Sequence, residues 1–267
     1  MNNLLRQLAP LSDPAWKLID DEAKERLVPR LAARRLVDFS GPHGWSHSAT
    51  NLGRTEPVDA APCEGVHGLR RRVLALVELR APFKIARAEL RDADRGADDA
   101  DLADLDRAAH GIAVAENKAV FHGWPEASIR GIAECSPYER LALGESIDAY
   151  PRPVAAAVEQ LLQGGISGPY ALALGGEQYR RVVQTGEHGG YPLLEHLRKI
   201  LEGPIVWTPG VRGAIVLSVR GGDFLLESGQ DLSVGYDAHD GDSVQLYLEE
   251  SFSFRVVTPE AAVVLEA

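Results

Sequence analysis

Between Arg220 and Tyr236 the chain reads Arg220-Gly221-Gly222-Asp223-Phe224, then Gly229-Gln230-Asp231-Leu232-Ser233-Val234-Gly235-Tyr236. Glycine adopts backbone conformations closed to other residues, so glycine breaks end strands and turn the chain. Here two such breaks bracket a short apolar run, and a second strand follows. The pattern confines this region to tightly turned sheet, and it matches no catalytic motif.

The rest of the chain divides by periodicity. Asp13-Pro14 predicts a helix start, with a capping side chain followed by proline at the first helical position. Trp16, Ile19, Ala23, Leu27 and Leu31 then recur at helical spacing, and Pro29 should kink or break that helix. Residues 38–70 are rich in glycine, proline and histidine with weak periodicity, which points to an excursion, such as a hairpin arm reaching a neighbour. Val73 to Leu79 reads as a buried strand, apolar on both faces. Seven aspartates fall between Asp92 and Asp106. Leu102, Leu105, Ala109, Ile112, Glu116 and Val120 mark a long helix ending near Gly123, its acidic start matched to the helix dipole. Further helices are predicted at 153–162, 177–183 and 193–201, with a strand at 170–174 and a loop at 185–192. From Ile205 onward the chain is strands and turns, including the run 243–257. The order is mixed α+β, without βαβ alternation.

The 267 residues carry a formal net charge of −11, which disfavours a general affinity for nucleic acid, although Arg70-Arg71-Arg72 could form a local basic patch. Cys63 and Cys135 form no paired motif, which fits a reducing cytoplasm. No signal peptide and no membrane-spanning apolar run is read.

Catalytic motifs are not found. Gly165-Ile166-Ser167-Gly168-Pro169 fails the nucleophile-elbow pattern at its last position, and there is no phosphate-binding P-loop. His43 and His47 lie four apart, but the glycines and proline around them argue for surface loop histidines over a metal pair. Asp92, Asp94, Asp98 and Asp99 lack the closing glutamate of a calcium loop, Ala103 standing there instead, and read as a solvated acidic face. Glu116, on the apolar side of its helix, is expected to be a buried carboxylate paired with an arginine. Glu78 and Arg80 are similar structural candidates.

A set of segments then recurs in order: Leu8-Ala9-Pro10-Leu11, Trp16, Ile19-Asp20, Gly41-Pro42 with Gly44-Trp45, Gly53, and Leu76 to Phe83. Arg95-Gly96, Glu116, Phe121-His122-Gly123, Gly168-Pro169-Tyr170, His188 to Leu193 and the glycine-bracketed stretch complete it. In this order, nearly end to end, the chain resembles the shell proteins of encapsulin nanocompartments (family 1, the linocin-type bacteriocins).

The resemblance implies an α+β fold like the tailed-phage major capsid protein. Residues 1–47, 73–129 and 221–267 would form a peripheral domain, 48–72 an extended arm and 130–220 an axial domain. It implies self-assembly into an icosahedral shell of 60 copies or a multiple. The cargo would be an enzyme with a short targeting peptide, a dye-decolourising peroxidase or a ferritin-like iron oxidase. The peptide would dock on Ala23, Leu27 and Leu31, with Arg34 and Asp38 as polar anchors and Leu232 and Tyr236 on the opposite wall. Gly186, Glu187, His188, Gly189, Gly190 and Tyr191 would form a five-fold pore loop, its charge set by His188. Some family members bind flavin through a tryptophan where this chain has Ala88, so no cofactor is expected. The implied protein is a non-enzymatic cytoplasmic shell with no membrane or nucleic-acid partner. The runner-up is a prophage major capsid protein that packages DNA; an enzyme such as a protease is a third class.

Overall fold

The computed structural model describes residues 3–59, 61–144, 149–185 and 192–266. Helix α1 spans Asp13–Leu27. Ser12, not Asp13, caps it: the Ser12 hydroxyl accepts from the Ala15 amide at 3.1 Å, and Asp13 becomes the first helical residue. Pro29 ends the helix early, so Leu31 lies beyond it, yet Leu31 remains buried with Ile19, Ala23 and Leu27. Asn117 secures this turn. Its carbonyl accepts from the Ala33 amide at 2.9 Å, and its amide donates to the Arg30 and Pro209 carbonyls.

Strand β1 (Asp38–Ser40) leads to a two-stranded antiparallel hairpin of β2 (Ala49–Val58) and β3 (Gly68–Ala75). The buried strand expected at 73–79 is corrected here. Val73 is 50% exposed at the end of β3, and a new strand, β4 (Val77–Ala86), starts after Leu76. An apolar run alone does not say whether anything covers it.

Helix α2 (Arg87–Asp94) was not foreseen; it is highly charged and buries only Leu90. Helix α3 (Ala103–His122) is the long helix read from the sequence, ending at Gly123 with φ 90°. The remaining elements are α4 (Ile132–Cys135), β5 (Leu141–Ala142), α5 (Pro151–Gln163), β6 (Tyr170–Leu174) and α6 (Gly176–Gln184). After them come α7 (Leu193–Leu201), β7 (Ile205–Trp207), β8 (Ala214–Ser218) and β9 (Phe224–Ser228). The chain closes with β10 (Ser233–His239), β11 (Ser243–Val256) and β12 (Ala262–Glu266).

Two larger sheets organise these elements. In the first, β11 is the central strand, antiparallel to β10 and β4 along its first half and to β9 beyond, while β1 joins β9 in parallel. In the second the order is β5-β12-β8-β6-β7. The glycine-bracketed stretch behaves as expected: Gly221 and Gly222 turn at φ 89° and 85° into β9. Gly235 has a different task. A Cβ there would sit 2.2 Å from the Tyr247 ring, so its absence lets that ring lie against β10.

Burial follows the sheets. One apolar cluster joins α1 and the first half of α3 to β4, β10 and β11 through Ile19, Leu105, Ile112, Phe83 and Leu246. The other packs α5 and α7 on β6, β8 and β12 through Leu161, Leu197, Leu172 and Val216.

Candidate functional site

Where α1 faces the first sheet, the two surfaces leave a groove of about 450 Å³. Ala23 and Leu27 of α1, with Val28 and Leu31 after it, form one wall. Leu232, Val234 and Leu248 form the other. Leu4 and Arg6 close one side, because the N-terminal segment lies along β10: the Tyr236 amide donates to the Leu4 carbonyl at 2.9 Å. An apolar floor with charges at its rim suits an amphipathic or extended peptide.

Both rim arginines are already paired, and Lys24 has no ion pair among the described residues. Arg6 grips both oxygens of Asp20 at 3.1 and 2.7 Å, with its guanidinium 4.0 Å over the Trp16 ring. Arg34 is held more firmly. Its Nε donates to Glu116 at 2.7 Å, one terminal nitrogen to Asp231 at 2.6 Å and the other to Glu250 at 2.7 Å. Glu116 and Glu250 are fully buried, while Asp231 opens towards the groove. Three carboxylates on one arginine leave excess negative charge in a dry site, which is costly unless a proton relieves it. Burial first, then the neighbouring Glu116 charge, pushes Glu250 well above the ordinary carboxylate value, against the pull of Arg34. A proton held on Glu250 also supplies what Oε1 of Glu116 and Oε1 of Glu250 both lack, since neither oxygen has another partner. The expected arginine partner of Glu116 is therefore Arg34. Arg80 is likewise paired, with buried Glu249, whereas Glu78 is exposed.

The residues expected to bind a peptide are only partly brought together. Ala23, Leu27, Leu31, Arg34 and Leu232 share the groove. Arg34 is not a free anchor there, because each of its donor nitrogens holds a carboxylate. Asp38 lies elsewhere: in β1 it accepts from the Gly222 amide at 2.6 Å and shapes the glycine turn. Tyr236 is buried, with its hydroxyl on Nδ1 of His239 at 2.6 Å and the N-terminal segment across its backbone, so it does not line the groove. Sequence reading missed Leu4, Arg6, Lys24, Val28, Val234 and Leu248. Lys24 and Val28 adjoin Ala23 and Leu27 and were open to inference; nothing local announces that Leu4 docks on β10.

Gly186, Glu187, His188, Gly189, Gly190 and Tyr191 lie outside the described residues. Ala88 is exposed on α2. The rings of His43 and His47 lie 4.9 Å apart, but His43 bonds Ser40 at 3.0 Å and His47 bonds Glu227 at 2.7 Å. Among the described residues no group of three or more His, Cys, Asp or Glu side chains is placed to hold a metal.

Comparison with known proteins gives a consistent picture. The family described as "encapsulating protein for peroxidase" (Linocin_M18) matches residues 1–253. A type 1 encapsulin shell protein of Rhodospirillum rubrum is 47% identical over 270 residues, 99% of this chain and 96% of that one. A ferritin-like–encapsulin shell fusion protein of Pyrococcus furiosus is 29% identical over 102 residues, 38% of this chain and 30% of that one. Among solved structures, a virus-like particle from Pyrococcus furiosus aligns with TM-score 0.68 at 17% identity, covering 94% of this chain and 99% of that one. The capsid of an empty GTA particle aligns at 0.55 and 16% identity, covering 89% and 90%. These two establish the fold, that of capsid shells. The family match along nearly the whole chain and the close relative go further: the chain belongs to the encapsulin shell protein family.

Proposed function

We propose that the chain assembles into a closed icosahedral shell of 60 copies or a multiple. The shell encloses a cargo enzyme, and the groove between α1 and β10 receives the cargo's targeting peptide. The observation that carries this reading is the groove itself: a preformed apolar channel in which Arg6 and Arg34 are held by carboxylates of this chain while Lys24 has no ion pair among the described residues. Such a site offers apolar surface with a single open cation at its rim, so the peptide is selected chiefly by its apolar residues. Binding per copy is modest, and repetition around a closed shell multiplies it. The family description supports a peroxidase as cargo, and the ferritin-like fusion relative supports a ferritin-like iron oxidase. Cys63 and Cys135 are free thiols, which suits a cytoplasmic shell. Among the described residues no helix is long and apolar enough to cross a membrane. The shell contributes enclosure and no catalysis of its own.

Leu232→Asp places a charge on the groove wall at a half-buried position that borders the apolar cluster. Co-expressed with a peptide-tagged peroxidase, this variant should form intact particles that lose most of their cargo. Full loading would refute the assignment of the groove. Electron microscopy of the parent protein should show uniform hollow particles without nucleic-acid absorbance; particles filled with DNA would favour the capsid alternative.

A further inference from the structure

We propose that the recess at the C-terminal end of α3 binds a small oxyanion of the phosphate class. The recess has a volume of about 380 Å³ and is lined by His122, Arg140, Arg212 and Glu266 beside Ala133 and Val264. Five separate chain segments meet there: the end of α3, helix α4, the residue before β5, the turn before β8 and the end of β12. Phe121-His122-Gly123 is one of the segments that carry the family resemblance, yet nothing in the shell reading uses the histidine.

Three observations point to an anion. First, the local charge opposes that of the chain. In a protein of net charge −11, Lys118, Arg140 and Arg212 act on this spot against the one lining carboxylate, Glu266. Second, the cations are incompletely matched. Arg140 pairs with Glu266 through one nitrogen, and the exposed Arg212 guanidinium has no partner among the described residues. Third, His122 is oriented. Its Nε2 accepts from the Arg212 amide at 3.1 Å, which puts the ring proton on Nδ1, and Nδ1–H has no partner among the described residues. Burial, then the charges of Arg212, Arg140 and Lys118, hold His122 below its ordinary value. The neutral ring is therefore a donor whose second nitrogen is already committed.

An oxyanion satisfies these groups together. A tetrahedral dianion can accept from Arg212, from the free nitrogens of Arg140 and from His122 Nδ1–H through different oxygens. A planar monoanion such as acetate offers fewer acceptors and half the charge. Glu266 is the opposing element: it repels an entering anion and competes for Arg140.

Titration calorimetry of assembled particles with inorganic phosphate, and separately with sulfate and acetate at constant ionic strength, tests the site. Saturable phosphate and sulfate binding at one site per chain is expected, with acetate much weaker. Arg212→Gln should weaken phosphate by about tenfold or more, the effect of losing a charge-assisted hydrogen bond. Glu266→Gln should tighten it. Opposite responses from two exposed residues would not arise from a structural disturbance. Unsaturable binding, acetate binding equal to phosphate, or phosphate affinity unchanged in Arg212→Gln would overturn the proposal.

Discussion

The groove under Arg34 and the recess around His122 both collect arginines, and they use them in opposite ways. In the groove every donor nitrogen of Arg34 is matched by a carboxylate, two of them fully buried. In the recess Arg212 stands open at the surface and Arg140 is held by Glu266 alone. A matched, dry cluster gives rigidity and shape, because breaking it leaves charge with no water to replace the partner. An unmatched, wet cluster contributes little to stability and remains available to a ligand. The first region should therefore respond to mutation in stability and the second in binding.

The largest test of that contrast is Arg34→Leu. Removing the shared partner of two buried carboxylates should cost about 3–5 kcal/mol of unfolding free energy, measured by denaturant titration. Adding Glu250→Leu should restore part of it. A loss under about 1 kcal/mol would mean that the cluster is not what supports the groove.

A smaller effect is expected from pH. Glu250 is raised above its ordinary carboxylate value, so the folded state holds its proton more tightly than the unfolded chain does. The stability this adds is complete below the ordinary carboxylate range and is lost as pH rises through the raised folded value. Glu250→Gln keeps the neutral form at every pH and should flatten that part of the profile. An unchanged slope in thermal unfolding between acid and alkaline pH would show that the proton is not held there.

The smallest effect is expected from Arg212→Gln on the same stability measurements. With no ion pair among the described residues to lose, it should shift unfolding by less than about 0.5 kcal/mol. A loss comparable to that of Arg34→Leu would erase the distinction between the two regions.

Much of the fold was legible because periodicity is local. The strand at 170–174 and the helix at 193–201 fall where the pattern put them, and α3 ends at the glycine that announced its end. Helix α2 escaped notice because a segment that buries one leucine leaves almost no apolar signature. Leu27, Leu31 and Leu232, assigned to one groove by the family resemblance, do share one. Asp38 and Tyr236, assigned by the same resemblance, lie outside that groove, because a resemblance does not reveal that one closes a glycine turn and the other is covered by the N-terminal segment.

The sequence by itself determined the long helix α3, the glycine turns around β9 and membership in a shell family, since these rest on neighbours in the chain and on ordered motifs. The tertiary structure decided which charges are matched and which are free. Arg34 and Glu250 are 216 residues apart, and Arg140 and Glu266 are 126 apart. No local pattern distinguishes an arginine that will be buried among three carboxylates from one left open to solvent. That difference arises only when distant segments pack and exclude water.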